Sequence, residues 1–317
     1  MNATPRWIIQ AIGRHSELDA EGLERLFQAE VYRRPSQWYR FIRLSLIALG
    51  AGFLLAGIVF FFAYNWDGLH KFAKLGIVGG LLSACVIAAY LTKSHPLFHK
   101  ILLFAASLLT GVLFAVYGQI YQTGANAFDF FLAWTVFCLL WVWVSDFPPL
   151  WLAFLILVNI TIAAYADQMG RLWPNSMPFA ILATLNAVVL VMTYARRNII
   201  GGVNVPEWVT HTVAIGTVSL LTVGIVAGIL DGYDAAFPLL LALAAVLFPW
   251  AVHHGIRSRS IFLPALVSLS LIVILTSYLL KIGEGYFLSL FVSLFVMGSV
   301  TLVTYLLLSL QKKWNHA

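Results

Sequence analysis

Ten apolar stretches, each followed by a short polar connector, leave this chain very few folds to choose from: 44–64, 72–92, 101–121, 128–144, 149–166, 177–194, 208–230, 235–254, 261–281 and 287–309. A hydrocarbon layer of about 30 Å is crossed by about 20 residues of helix. No water is present there to satisfy a bare backbone N–H or C=O, so each stretch must close its hydrogen bonds internally as an α-helix. Only 10% of the 317 residues are charged, 61% are hydrophobic, and the mean hydropathy is +0.90. Soluble domains carry roughly 25% charged residues. The expectation is an all-α, polytopic membrane protein of ten transmembrane helices, with the lipid bilayer as its first partner. Spans four and five meet at Ser145-Asp146-Phe147-Pro148-Pro149. So short a connector leaves open a hairpin that fails to cross, although Asp146 and the double proline argue for a break.

Residues 1–43 read as a cytosolic N-terminal helical segment, 44–309 as the transmembrane domain and 310–317 as a cytosolic tail. The first 43 residues contain no apolar run of signal-peptide length. Ser16 and Asp19 have the spacing of a capping box, and Leu23, Leu26, Phe27 and Val31 recur at helical spacing. Acids crowd the first turns and Arg33 and Arg34 the last, which suits the helix dipole, and Pro35 then ends the helix. Trp38, Tyr39, Arg40, Phe41 and Arg43 form the aromatic and basic mixture found at the headgroup layer.

Charge fixes the expected orientation. With the N terminus inside, 15 of the 19 Lys and Arg fall on the cytosolic side, leaving Lys71, Lys74, Arg171 and Lys281 outside. The positive-inside rule therefore gives N-in and C-in and an even number of spans. The net charge of +6 is explained by topology and calls for no nucleic acid.

Small residues recur every fourth position at Ala48, Gly52 and Ala56, at Gly76, Gly80, Ala84 and Ala88, and at Gly224 and Gly228, a pattern that lets helix backbones approach closely in lipid. Pro238, Pro249 and Pro264 lie within later spans, where kinks free carbonyls.

No Asp, Glu, Lys or Arg stands at mid-depth, which weighs against a proton relay. Asn159 and Asn186 fall near the middle of consecutive spans, so their amides can pair as helix glue or contact a solute. A denser polar set gathers on the expected outer side: Asn65, Trp66 and Asp67 after the first span, and Gln119, Tyr121, Gln122 and Asn126 at the end of the third and in its connector. Asp129, Asp231, Tyr233, Asp234 and Glu284 join them. These side chains suit a polar ligand, or form an ordinary wet rim with Asp67 capping the second helix. Cys85 and Cys138 lie in apolar runs and read as inert thiols. Pro96 keeps His95 from sharing a regular helical face with His99, so His95, His99, His253 and His254 give no metal spacing. No zinc-protease, nucleophile-elbow or phosphate-loop signature is present. The sequence therefore assigns no catalytic residue, no metal ligand and no cofactor.

Two short motifs in fixed order are specific. Ala63-Tyr64-Asn65-Trp66-Asp67 closes the first span, and Tyr117-Gly118-Gln119-Ile120-Tyr121-Gln122 closes the third. Together they resemble a bacterial family of predicted membrane proteins classed as a domain of unknown function. The likeness covers the N-terminal segment and about five spans, and it implies a bacterial plasma-membrane location and a multi-helix domain that opens with a small cytosolic helical segment. It carries no reaction with it.

The leading functional expectation is a secondary transporter or permease-like protein for a small polar solute, contacted by Asn65, Asp67, Gln119, Tyr121, Gln122, Asn159 and Asn186. The alternative is a non-transporting scaffold that binds another membrane protein of an envelope complex. A solute path needs a hydrated cavity reaching mid-depth, whereas a scaffold needs a solid bundle and an exposed apolar groove.

Overall fold

The computed structural model describes residues 66–121, 124, 126–170, 173–199, 205–283 and 288–316, together with scattered positions between 19 and 64. The chain divides into two compact units, Met1–Lys74 and Leu75–Ala317. Among the described residues there are nine helices long and apolar enough to cross a membrane. They are α1 (Lys71–Leu91), α2 (Pro96–Tyr121), α3 (Ala127–Ser145), α4 (Pro148–Met169), α5 (Met177–Ile199), α6 (Glu207–Asp231), α7 (Phe237–Arg257), α8 (Phe262–Ile282) and α9 (Leu288–His316). They coincide with the second to tenth apolar stretches. The protein is an all-helical, polytopic membrane protein.

In the first unit, Asp19 Oδ1 accepts the Gly22 N–H at 2.7 Å. Ser16, the helical repeat Leu23 to Val31, most of the first span and its small face at Ala48, Gly52 and Ala56 lie outside the described residues. Trp38 and Phe41 meet edge to face at 5.9 Å, both exposed, on the stretch read as a headgroup entry.

In the second unit, α6 is the hub. It packs against α4, α5, α7 and α8, and Val213, Ala214, Thr217, Leu221, Gly224, Ile225 and Gly228 are all buried along it. Hydrocarbon offers helices no hydrophobic reason to associate, so close packing and polar contacts must hold them. The glycines of α6 show how. A Cβ at Gly224 would stand 2.6 Å from Phe179 of α5 and 3.1 Å from Leu240 of α7, and one at Gly228 would enter the Phe237 ring. Gly111 of α2 gives the same close approach to the Trp134 indole of α3, and Trp134 donates to the Ser107 carbonyl at 3.0 Å.

Successive helices run antiparallel, as contacts at their ends show. At one end, Lys100 near the start of α2 donates to the Asp146 carbonyl after α3 at 2.8 Å. At that end also, Tyr194 of α5 meets Trp250 and His254 of α7, and His211 of α6 lies 4.1 Å from Phe262 of α8. At the opposite end, Gln168 of α4 accepts the Phe128 N–H of α3 at 3.3 Å, and Lys281 of α8 donates to the Leu230 carbonyl of α6 at 2.8 Å.

The short connector between spans four and five is a tight turn between two full helices. Asp146 takes a left-handed conformation (φ 43°, ψ 50°), tolerated by Asp better than by most residues, and Phe147 is extended as a residue before proline must be. Pro148 and Pro149 then occupy the first turn of α4, where no helical N–H is lost. At 1.5 Å per residue, α3 and α4 are about 28 and about 33 Å long, enough to cross. The same reasoning corrects the proline reading. Pro238 and Pro264 sit in the first turns of α7 and α8, so only Pro249 of the three interrupts a helix interior.

Candidate functional site

At mid-depth several polar side chains of the second unit are drawn into helix-to-helix pairs, while others, such as Thr110, Thr184 and Thr217, bond the preceding turn of their own helix. Asn159 of α4 donates to Asn186 Oδ1 at 3.4 Å, and Asn186 of α5 donates back to Asn159 Oδ1 at 2.5 Å. Each Nδ2 also donates one turn back along its own helix, Asn159 to the Leu155 carbonyl at 2.7 Å and Asn186 to the Leu182 carbonyl at 2.8 Å. An amide carries two N–H donors, so both asparagines have every donor engaged. Asn186 is 4% exposed.

The same depth holds three further pairs that sequence reasoning missed. Ser107 of α2 meets Cys138 of α3 at 3.0 Å, Thr135 of α3 meets Thr161 of α4 at 2.8 Å, and Thr222 of α6 meets Ser270 of α8 at 2.5 Å. Each lies near the middle of its helix. No motif marks these hydroxyls in the sequence, because a Ser or Thr in a span can satisfy itself on the preceding turn. Thr135, Thr161 and Thr222 do make that bond as well.

The expected outer set is only partly visible. Asn65 and Gln122 lie outside the described residues. Asp67 is exposed in the turn before α1, several residues short of the helix start, and His70 stands at the cap position instead, with Nδ1 3.4 Å from the Phe72 N–H. Gln119 and Tyr121 are exposed in the last turn of α2, and Tyr121 packs on Tyr117 at 4.7 Å.

Two acids of this end cap helices. Asp129 accepts the Asn126 N–H at 3.2 Å ahead of α3. Asp234 accepts from Ala236 at 3.0 Å and Phe237 at 3.1 Å at the start of α7, and from Ser176 at 2.7 Å at the start of α5. Partial burial pushes the Asp234 carboxyl up, but its hydrogen bonds with Ser176, Ala236 and Phe237 outweigh it and hold the group below the ordinary aspartate value. The cap on α7 is legible in an Asp shortly before an apolar run; the grip on Ser176 is not. Beside it, Phe128, Tyr165 and Trp173 form an aromatic row with ring separations of 5.0 and 5.4 Å, the amphipathic belt expected where helices leave hydrocarbon.

The opposite end is basic, with Lys93, Lys100, Arg257, Arg259, Lys312 and Lys313. Two of its histidines have partners: His99 Nδ1 lies 2.7 Å from the Ala89 carbonyl, and His254 stacks on Trp250 at 5.6 Å. Among the described residues, no three His, Cys, Asp or Glu gather where they could hold a metal ion. Open depressions lie along α9 at Leu294, Met297, Gly298, Thr301, Leu302 and Tyr305 and at the start of α2 beside His95.

Residues 15–151 match the model of a family described as predicted membrane protein (DUF2157), a stretch that runs from the N-terminal segment into the first turn of α4. No curated protein and no solved structure matches the chain.

Proposed function

We propose that this chain is a non-transporting, multi-pass scaffold of a bacterial plasma membrane, oriented N-in and C-in, with another membrane protein as its partner. The observation that carries the reading is the use made of the mid-depth polar groups. A solute taken from water must be offered hydrogen bonds in place of those it loses. Here the donors of Asn159 and Asn186 are spent on each other and on their own helices, and the neighbouring hydroxyls pair across α2–α3, α3–α4 and α6–α8. Interhelical bonds of this kind contribute roughly 0.6 kcal/mol each in lipid, a packing role. The open apolar groove on α9 fits the same reading. The family likeness over residues 15–151 supports the membrane setting.

The permease reading keeps one observation of its own: Pro249 interrupts α7 near mid-depth, freeing a carbonyl that a water path could use. In it, Asn65, Asp67, Gln119, Tyr121 and Gln122 form the outer entry, with Asn159 and Asn186 deeper. One experiment separates the two. Replace both mid-depth amides together, Asn159→Leu and Asn186→Leu, and measure folding and the ability to complement a chromosomal deletion. A scaffold keeps both. A folded double variant that fails to complement, or that loses uptake of a polar solute seen with the parent, restores the permease.

A further inference from the structure

The two oxygens of Asp234 serve different helices. Oδ1 accepts both Ala236 N–H at 3.0 Å and Phe237 N–H at 3.1 Å, the capping geometry for α7. Oδ2 reaches across to the connector before α5 and accepts the Ser176 N–H at 2.7 Å. A single carboxylate thus closes the N-termini of α5 and α7, although Asp234 and Ser176 lie 58 residues apart in sequence. Both ends carry partial positive charge from the helix dipole, so the anion is favoured there twice over. Gly232, at φ 118° and ψ 149°, makes the turn out of α6 that brings Asp234 into place, in a conformation open essentially to glycine alone. Beneath this joint, Gly228 of α6 sits against the Phe237 ring and Ser176.

We propose that Asp234 is a releasable latch between the ends of α5 and α7, with one oxygen capping and the other locking. An ionised carboxylate accepts at both oxygens with no donor of its own to oppose either set of amides. A proton on Oδ2 places a donor opposite the Ser176 N–H and opens the lock while Oδ1 keeps the cap. The first turns of α5 and α7 carry no ionisable side chain. On the other elements packed here, Asp167 near the end of α4, Asp231 at the end of α6 and Tyr233 after it are all exposed, and Lys281 at the end of α8 is committed to the Leu230 carbonyl. Arg171, on the connector before Ser176, lies outside the described residues. Acid release therefore reports chiefly on Asp234, and it falls below the ordinary aspartate range because the amides favour the anion.

The decisive variant is Asp234→Asn, which retains an acceptor for the α7 cap and turns an NH2 donor toward Ser176. Spin labels at Asn175→Cys and Ala235→Cys, both exposed positions, in a Cys85→Ala and Cys138→Ala background, read the separation of the two connectors in the full-length protein. The latch predicts a narrow distribution in the parent at about pH 7, and a broadened, longer one in Asp234→Asn at the same pH with unchanged helix content. The parent should broaden on acidification, and Asp234→Asn should not change further. A neutral-pH distribution in Asp234→Asn identical to the parent overturns the latch, as does acid broadening of equal size in both proteins. If Asp234→Asn does not fold, the parent alone decides: a distribution that stays narrow on acidification until helix content itself is lost overturns it.

Discussion

Asn186 Nδ2 lies 2.5 Å from Asn159 Oδ1 and 2.8 Å from the Leu182 carbonyl, so one amide bonds helix α4 and its own helix α5 at once. The pair closes on itself because the reverse bond, from Asn159 to Asn186, is made as well.

Such closure makes the pair strongly coupled. Asn159→Ala leaves part of the buried Asn186 amide unpaired, and leaving one polar group unsatisfied costs about 1–3 kcal/mol. Asn186→Ala should cost less, because Asn159 is only half-buried and keeps its bond to the Leu155 carbonyl. The Leu/Leu double variant, which strands nothing, should recover most of that loss. Thermal unfolding of all four proteins in one detergent checks this; additive losses in the double variant would show that the amides act independently.

Close approach at glycine gives a second contrast. Gly111→Ala drives a Cβ into the Trp134 indole and should cost about 1–3 kcal/mol, because the ring also surrenders its bond to the Ser107 carbonyl. Gly228→Ala should cost a similar amount against Phe237. Gly216, which has no atom of the described residues within 4 Å of a built Cβ, should accept alanine without loss. A melting-temperature series of the three variants is sufficient.

The pH dependence follows from the direction of the Asp234 shift. Its carboxyl is lowered in the folded protein, so its contribution is present in full above the unfolded aspartate value and disappears as the pH falls through the folded one. The parent should therefore lose melting temperature on acidification more steeply than Asp234→Ala, with the two curves converging at the acid end. Parallel curves would remove Asp234 from the account.

Helix direction makes orientation testable with few labels. Asp146 and Arg259 belong to one end of the second unit, and Asn175 and Ala235 to the other. With the N terminus inside, an impermeant thiol reagent outside intact cells should label cysteines at 175 and 235 and leave those at 146 and 259 unlabelled until the membrane is opened. His70→Cys, on the turn before α1, should label from outside as well. The reverse pattern would invert the topology.

Much of the fold was readable from apolar segment length, and the reason is physical. In hydrocarbon the backbone must bond within its own segment, so a long apolar run has one outcome, and α1 to α9 follow the second to tenth stretches. The Asn159 and Asn186 pair was also within reach, since two costly amides at one depth on consecutive spans have few other partners. Ser107 with Cys138, or Thr222 with Ser270, was not, because a hydroxyl or thiol that its own helix can satisfy leaves no demand in the sequence for a distant partner.

The sequence by itself determined the membrane setting, the helical segments and the caps built from neighbours in the chain, because length, hydropathy and local hydrogen bonding act within a few turns. Tertiary structure alone decided that α6 is the hub, that Gly111 faces Trp134, and that the second oxygen of Asp234 reaches Ser176. Those relationships depend on the rotation and depth of each helix against its neighbours. In lipid these are set by close packing among faces of nearly equal hydropathy, which a one-dimensional pattern does not distinguish.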